Sequence, residues 1–212
     1  MKTDTTHAPA PGITRGRKFD QVRDGAAVIF LRDGYAAASV DDIARSARVS
    51  KATLYSYFPD KSLMFREVLR ATMDSAFRQQ PFAADPASQA LTELPRVLSD
   101  LATWALSEPR LSLLRVMTAE STRFPDDARD YDDALANRVA APLAQIIDGW
   151  IAAGQIRDHD SGQSSRQLVA LITGQVQQPA LLTGTTLPDA QVARIARDAA
   201  ALFLSAYGLQ AA

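Results

Sequence analysis

The chain has 212 residues, 47% of them hydrophobic and 22% charged, with a formal net charge of −1; that balance suits a sizeable buried core in one domain or two closely packed ones and argues against a protein that coats nucleic acid. Cysteine is absent, which excludes disulfide frameworks, thiolate metal sites and cysteine nucleophiles. The N-terminal stretch lacks the apolar core of a secretion signal and no later apolar run approaches the roughly 18 to 20 residues that span a bilayer, so a cytoplasmic protein with no membrane partner is expected.

Residues 1–14 are rich in Thr, Pro and Ala without a hydrophobic period and read as a disordered arm. From Phe19 the pattern turns helical: Phe19, Val22, Ala26, Ile29 and Phe30 recur at spacings of three and four, and Gly34 stands where a C-cap glycine belongs. Ser39 opens "SVDD", an N-cap followed by acidic residues, and Val40, Ile43, Ala44 and Ala47 line one face of a short second helix. After a three-residue turn, Ser50 caps "KATLYSYF", which Pro59 ends, and Asp60 caps a further helix from near Lys61.

The remainder reads as long helices with no strand-like alternation. One runs from Leu63 to about Gln80; another places Leu91, Leu94, Leu98, Leu101 and Ala105 in phase; a third opens at Pro109, a favoured first-turn position. After Pro125, the residues Tyr131, Leu135, Val139, Leu143, Ile146, Ile147 and Trp150 share a face, Pro142 is expected to kink or split the helix, and Gly154 to end it. The last two run from about Ser164 to Leu182, bent by Pro179, and from Pro188 to Tyr207, where Val192, Ile195, Ala199, Leu202 and Phe203 form a stripe. The expected fold is all-α with about nine helices.

Charge singles out one segment. Residues 15–61 carry nine Arg or Lys against six Asp, a net of +3, whereas residues 62–212 carry thirteen basic against seventeen acidic residues, a net of −4. Only the N-terminal part suits a polyanion. Within it Ile43, Ala44, Val49 and Leu54 can bury against the first helix, leaving Lys51, Ala52, Thr53, Tyr55 and Tyr57 exposed on or beside the third. A helix offered to the DNA major groove reads base edges with short groups near its N-terminal end, while flanking donors grip phosphates. Lys51 can donate to guanine, and Ala52 or the Thr53 methyl can meet a thymine methyl. Ser39, Tyr55, Tyr57 and Lys61 suit phosphates, with Arg15, Arg17 and Lys18 as additions from the arm.

The stretch "GYAAASVDDIARSARVSKATLYSYFPDKSLMF", residues 34–65, resembles the helix-turn-helix of TetR/AcrR regulators in its Gly-aromatic pair, capped short helix, turn, "TLYxYF" and lysine. Departures are Arg48 where the family usually has glycine in the turn, Ala52 where it often has glycine, and Arg23 at a commonly apolar position. Arg48 has to tolerate the turn's backbone strain, although its guanidinium can reach a phosphate. The DNA-binding set is thus Ser39, Arg48, Ser50, Lys51, Ala52, Thr53, Tyr55, Tyr57 and Lys61. "ESTRFPDDARDYDDA" and the proline-interrupted helix after it resemble the C-terminal domain of an AcrR-like subgroup.

The resemblance implies a disordered arm over 1–14, a helix-turn-helix domain over 15–62 and an effector-binding, dimer-forming helical domain over 63–212. It further implies a homodimeric repressor of a double-stranded inverted-repeat operator, released by a small-molecule effector of unknown identity. Trp104, Met117, Phe124, Tyr131 and Trp150 are candidates to line the effector pocket, with Glu120, Gln175, Arg115 or Asn137 as polar anchors, although such aromatics commonly only fill a core. Gln175, Gln177 and Gln178 are open between ligand contact, a subunit interface and a solvent face.

Catalytic, metal and cofactor sites are not expected. Asp126–Asp133 lacks the glycine and closing glutamate of an EF-hand loop and sits at a helix start, where the dipole favours carboxylates. His7 lies in the arm and His159 in a polar loop, and no nucleophile elbow or phosphate-cradling glycine loop appears. The alternative to a regulator is a helical ligand-binding protein that keeps the motif as structure.

Overall fold

A computed structural model describes residues 16–84 and 88–209; the arm at 1–14 and Arg15 lie outside them. Ten α-helical segments are present: α1 (Arg17–Ala37), α2 (Val40–Ser46), α3 (Lys51–Tyr57), α4 (Lys61–Ala76), α5 (Ala90–Ala105), α6 (Glu108–Glu120), α7 (Pro125–Leu135), α8 (Ala141–Ala152), α9 (Ser161–Thr183) and α10 (Asp189–Tyr207). A π-helical turn, Ala136–Ala140, joins α7 to α8 without a break, so the segments make nine rods among the described residues. The only extended pairing recorded there is an isolated bridge between Ile156 and Gly208.

The chain divides into two compact units, 1–71 and 72–212, with the boundary inside α4. In the first, Phe19, Val22, Ala26, Ile29 and Phe30 of α1 are buried with Ile43 and Ala44 of α2, Leu54 of α3 and Met64, Phe65, Val68 and Leu69 of α4. Ring contacts tie these elements: Phe19 meets Phe58 at 5.0 Å and Phe30 meets Phe65 at 5.0 Å, the latter edge-on. Gly34 adopts φ 75°, a left-handed break that a side chain would strain, just before α1 ends. Asp60 caps α4, its carboxylate accepting from the Leu63 amide at 2.8 Å and the Ser62 hydroxyl at 2.6 Å. The Ser62 hydroxyl, and then the Leu63 amide, hold its carboxyl below the usual range. α4 stops at Ala76, short of the expected Gln80.

In the second unit α5 packs along α9 and α10, and α8 along α9. The proline effect differs from a kink. Pro142 has no N–H for the carbonyl four residues back and its ring crowds that turn; the helix widens just upstream, Ala141 N–H bonding to Ala136 in the i→i+5 pattern, and then continues. Two expected core positions are exposed. Leu91 is 68% exposed because Ala90 takes the buried place in the first turn of α5, and Leu202 is 61% exposed while Ala199, Ala200 and Phe203 beside it are buried. Gln177 is buried and donates to the Ala105 carbonyl at 3.1 Å, tying α9 to the end of α5. His159 is no free loop residue: its Nδ1 lies 2.9 Å from the Arg157 carbonyl, its Nε2 2.9 Å from Ser164 Oγ, and its ring stacks on Tyr207 at 3.7 Å.

Candidate nucleic-acid interface and effector-domain residues

The turn between α2 and α3 is built from backbone hydrogen bonds. Arg48 N–H bonds to the Arg45 carbonyl at 3.1 Å and Val49 N–H to Ala44 at 3.0 Å, the Schellman pattern, which requires a left-handed residue at the position Arg48 occupies. Arg48 has φ 53°, the only positive value outside glycine among the described residues. Its chain neighbour Ala47 is clamped to α1: Gln21 donates to the Ala47 carbonyl at 2.7 Å, and Gly25 lies so close that a Cβ there would meet Ala47 Cα at 2.5 Å. Contact this close needs glycine.

Ser50 then caps α3, its hydroxyl accepting from Thr53 N–H at 3.1 Å and lying 2.9 Å from the Thr53 hydroxyl. Leu54 is buried, while Lys51, Ala52, Tyr55 and Ser56 are exposed and Thr53 is half-buried. Lys51 pairs with Asp41 of α2 at 2.5 Å; the carboxylate raises its ammonium pKa above the ordinary value, first through the hydrogen bond and then through charge. Sequence reasoning missed that Asp41 partner because it lies across the turn on another helix. Ser39 caps α2 by accepting from Asp41 N–H at 3.2 Å. Tyr57, expected to be exposed, is half-buried and leans edge-on against Phe19 at 6.3 Å. Lys61 is half-buried too, its ammonium 4.8 Å from the Tyr35 ring centroid and 3.4 Å from the Ala36 carbonyl. Arg17 and Lys18 are exposed at the start of α1. Arg23 is held by Asp20 and Asp24, both at 2.8 Å, which keeps its charge satisfied.

The candidate effector residues fall in different surroundings. Trp104 is half-buried and Tyr131 likewise, and Phe77 joins them, edge-on to Trp104 at 5.5 Å and to Tyr131 at 5.7 Å. Arg110 lies over the Trp104 ring with its guanidinium carbon 4.2 Å from the centroid. Met117, Phe124 and Trp150 are buried, and the Trp150 indole N–H has no acceptor among the described residues. Glu120 faces Arg123 at 3.9 Å. Gln175 is on the exposed side of α9, donating to its own helix at Leu171, and Gln178 is exposed as well. Of the additional anchors, Arg115 and Asn137 are both exposed. Phe77 and Arg110 escaped the sequence reading: an arginine in a first helical turn looks like any solvated charge, and its aromatic neighbours come from distant segments. A separate open cleft of about 460 Å³ is lined by Gln89, Ala90, Leu91, Gln155, Leu204, Gly208 and Leu209 and includes none of the candidates. Among the described residues no cluster of His, Asp and Glu is arranged to hold a metal ion, and no helix is long and apolar enough to cross a membrane.

Comparison with known proteins bears on both units. Residues 22–68 match the model of bacterial regulatory proteins of the tetR family, and residues 92–209 match the C-terminal domain of AefR-like transcriptional repressors. The HTH-type transcriptional repressor KstR2 of Mycolicibacterium smegmatis is 30% identical over 158 residues, 74% of this chain and 73% of that protein. Among solved structures, the flavonoid-responsive regulator FrrA is 30% identical with a TM-score of 0.69, covering 93% of this chain and 100% of its own. A TetR family transcriptional regulator from Pseudomonas syringae pv. tomato is 21% identical with a TM-score of 0.72, covering 92% and 100%, and is similar in fold.

Proposed function

Because the chain belongs to the TetR family and is a DNA-binding transcriptional regulator rather than an enzyme, we propose that it works in the cytoplasm as a homodimeric repressor of an inverted-repeat operator, released by a small-molecule effector. The observation that carries the reading is α3: a short helix capped by Ser50, anchored inward by Leu54 and offering Lys51, Ala52 and Tyr55 to solvent. Lys51, Ala52 and Thr53 read bases in the major groove, and Ser39, Arg48, Ser50, Tyr55, Tyr57 and Lys61 contribute to positioning on the backbone. Lys51 exchanges Asp41 for a guanine acceptor when DNA arrives.

The dimer reading is supported by the outer faces of α9 and α10. Ala170, Gly174, Gln178 and Leu182 recur every fourth residue on the exposed side of α9, and Leu202 and Ser205 are exposed on α10. A Cβ added at Gly174 would meet nothing within 4 Å, so the stripe is low enough for a second copy to approach. Two subunits about a two-fold axis then set their recognition helices roughly 34 to 36 Å apart. Effector binding in the larger helical unit favours a state with an unsuitable separation; a tenfold loss of DNA affinity requires about 1.4 kcal/mol of differential binding. The FrrA relative is by its name flavonoid-responsive, which supports small-molecule control here without naming the molecule.

The test is selection of bound sequences from a random DNA pool at physiological salt, followed by titration of the winner. An enriched inverted repeat bound by two subunits is the expected result. Salt-labile binding without enrichment would favour a helical ligand-binding protein that keeps the motif as structure.

A further inference from the structure

Arg110 is a cation held without an anion. Arg110 Nη1 donates to Ser107 Oγ at 2.8 Å and Nη2 donates to the Ala76 carbonyl. Ser107 is itself committed, donating to the Trp104 carbonyl at 2.9 Å. Both acceptors are neutral, and no carboxylate among the described residues pairs with this guanidinium. The third nitrogen, Nε, is buried and has no acceptor; the Trp104 indole N–H, on the ring beneath the guanidinium, is buried without an acceptor as well. Burial lowers the Arg110 pKa, and it raises that of Tyr131, whose phenol faces the arginine's charge. A partly desolvated charge and two buried N–H donors without acceptors on stacked groups favour a ligand that fills them.

We infer that Arg110 and Trp104 form the head of an effector site for an organic carboxylate, whose two oxygens take the Arg110 Nε–H and the Trp104 indole N–H while its apolar body lies against Phe77, Trp104 and Tyr131. One positive charge calls for one negative charge, and charge-assisted hydrogen bonds from guanidinium to carboxylate are about twice as strong as neutral ones. The aromatic rings provide the apolar wall that ligand pockets combine with a few placed donors. The inference rests on the effector reading above and deepens it by naming the ligand class and Arg110 as the anchor.

The experiment uses the full chain at pH 7.5 with three probe pairs: benzoate and benzamide, trans-cinnamate and cinnamamide, octanoate and octanamide. Melting temperature and tryptophan emission report binding, and retention of the selected DNA reports release. At least one acid should raise the melting temperature while its amide does not. Arg110→Gln should weaken that acid at least tenfold. Trp104→Phe, which keeps a ring and removes the N–H, should weaken it several-fold, and it carries the test if Arg110→Gln folds poorly. The inference fails if no acid binds, if each amide binds as well as its acid, or if both variants keep parental affinity. The two readings separate cleanly: amides that release DNA while acids do not bind would sink the carboxylate site and keep the effector. Acids that bind through Arg110 without altering DNA retention would keep the site and sink its role as effector.

Discussion

Two lysines near the recognition helix differ in what holds them. Lys51 reaches sideways to a carboxylate, whereas Lys61 lies along the Tyr35 ring with its ammonium near a backbone carbonyl. On the proposed division of roles, Lys51→Ala should change which operator variants are preferred. Lys61→Ala should weaken all sequences alike and reduce the slope of log affinity against log salt by roughly 0.9. Competition binding against a panel of operator variants at several salt concentrations checks this, and identical behaviour of the two variants would remove the division. Arg48 belongs to the same scale: the Schellman turn dictates a left-handed backbone there, so the residue is strained by geometry and its departure from glycine leaves the motif intact.

At the scale of elements, the spacing of α1 from the end of α2 depends on one missing side chain. Gly25→Ala places a methyl 2.5 Å from Ala47 Cα, against backbone, so the helices have to separate. A loss of about 1 to 3 kcal/mol is expected, read as a lower denaturation midpoint, together with weaker DNA binding because the turn feeding α3 is displaced. Sequence made the caps legible: Ser39, Ser50 and Asp60 each act on an amide two or three residues away, and so the pattern is local. The breadth of the all-α fold followed from helical spacing for the same reason. What stayed illegible is non-local. Pro142 marks a disturbance, but whether the helix kinks or widens into a π turn depends on its neighbours. Leu91 and Leu202 share the phase of buried residues, yet which side of a helix is covered is decided by the partner it meets. Arg110, Phe77, Trp104 and Tyr131 converge from four segments whose periodicities carry no record of one another.

For the whole molecule, the proposed pairing of two chains makes DNA affinity a property of the assembly. Leu182→Glu together with Leu202→Glu places charge on exposed apolar positions of α9 and α10 without touching the core of the second unit. Light scattering is expected to give a monomer with an unchanged helical circular-dichroism spectrum. The same variant should bind a single half-site about as well as the parent but lose the tight binding of the full repeat. A dimer that persists in the double variant would move the interface elsewhere.

The pairing of Lys51 with Asp41 has a kinetic side. A regulator spends most of its life on sequences that are not its target, gliding over phosphates that look the same at every step. If Lys51 is the base donor proposed above, its pairing with Asp41 leaves that donor occupied on such sequences. On the proposed reading, the ammonium gains by changing partners only where a guanine stands in register, and Asp41→Asn should then narrow the gap between operator and non-operator affinity, read by competition binding.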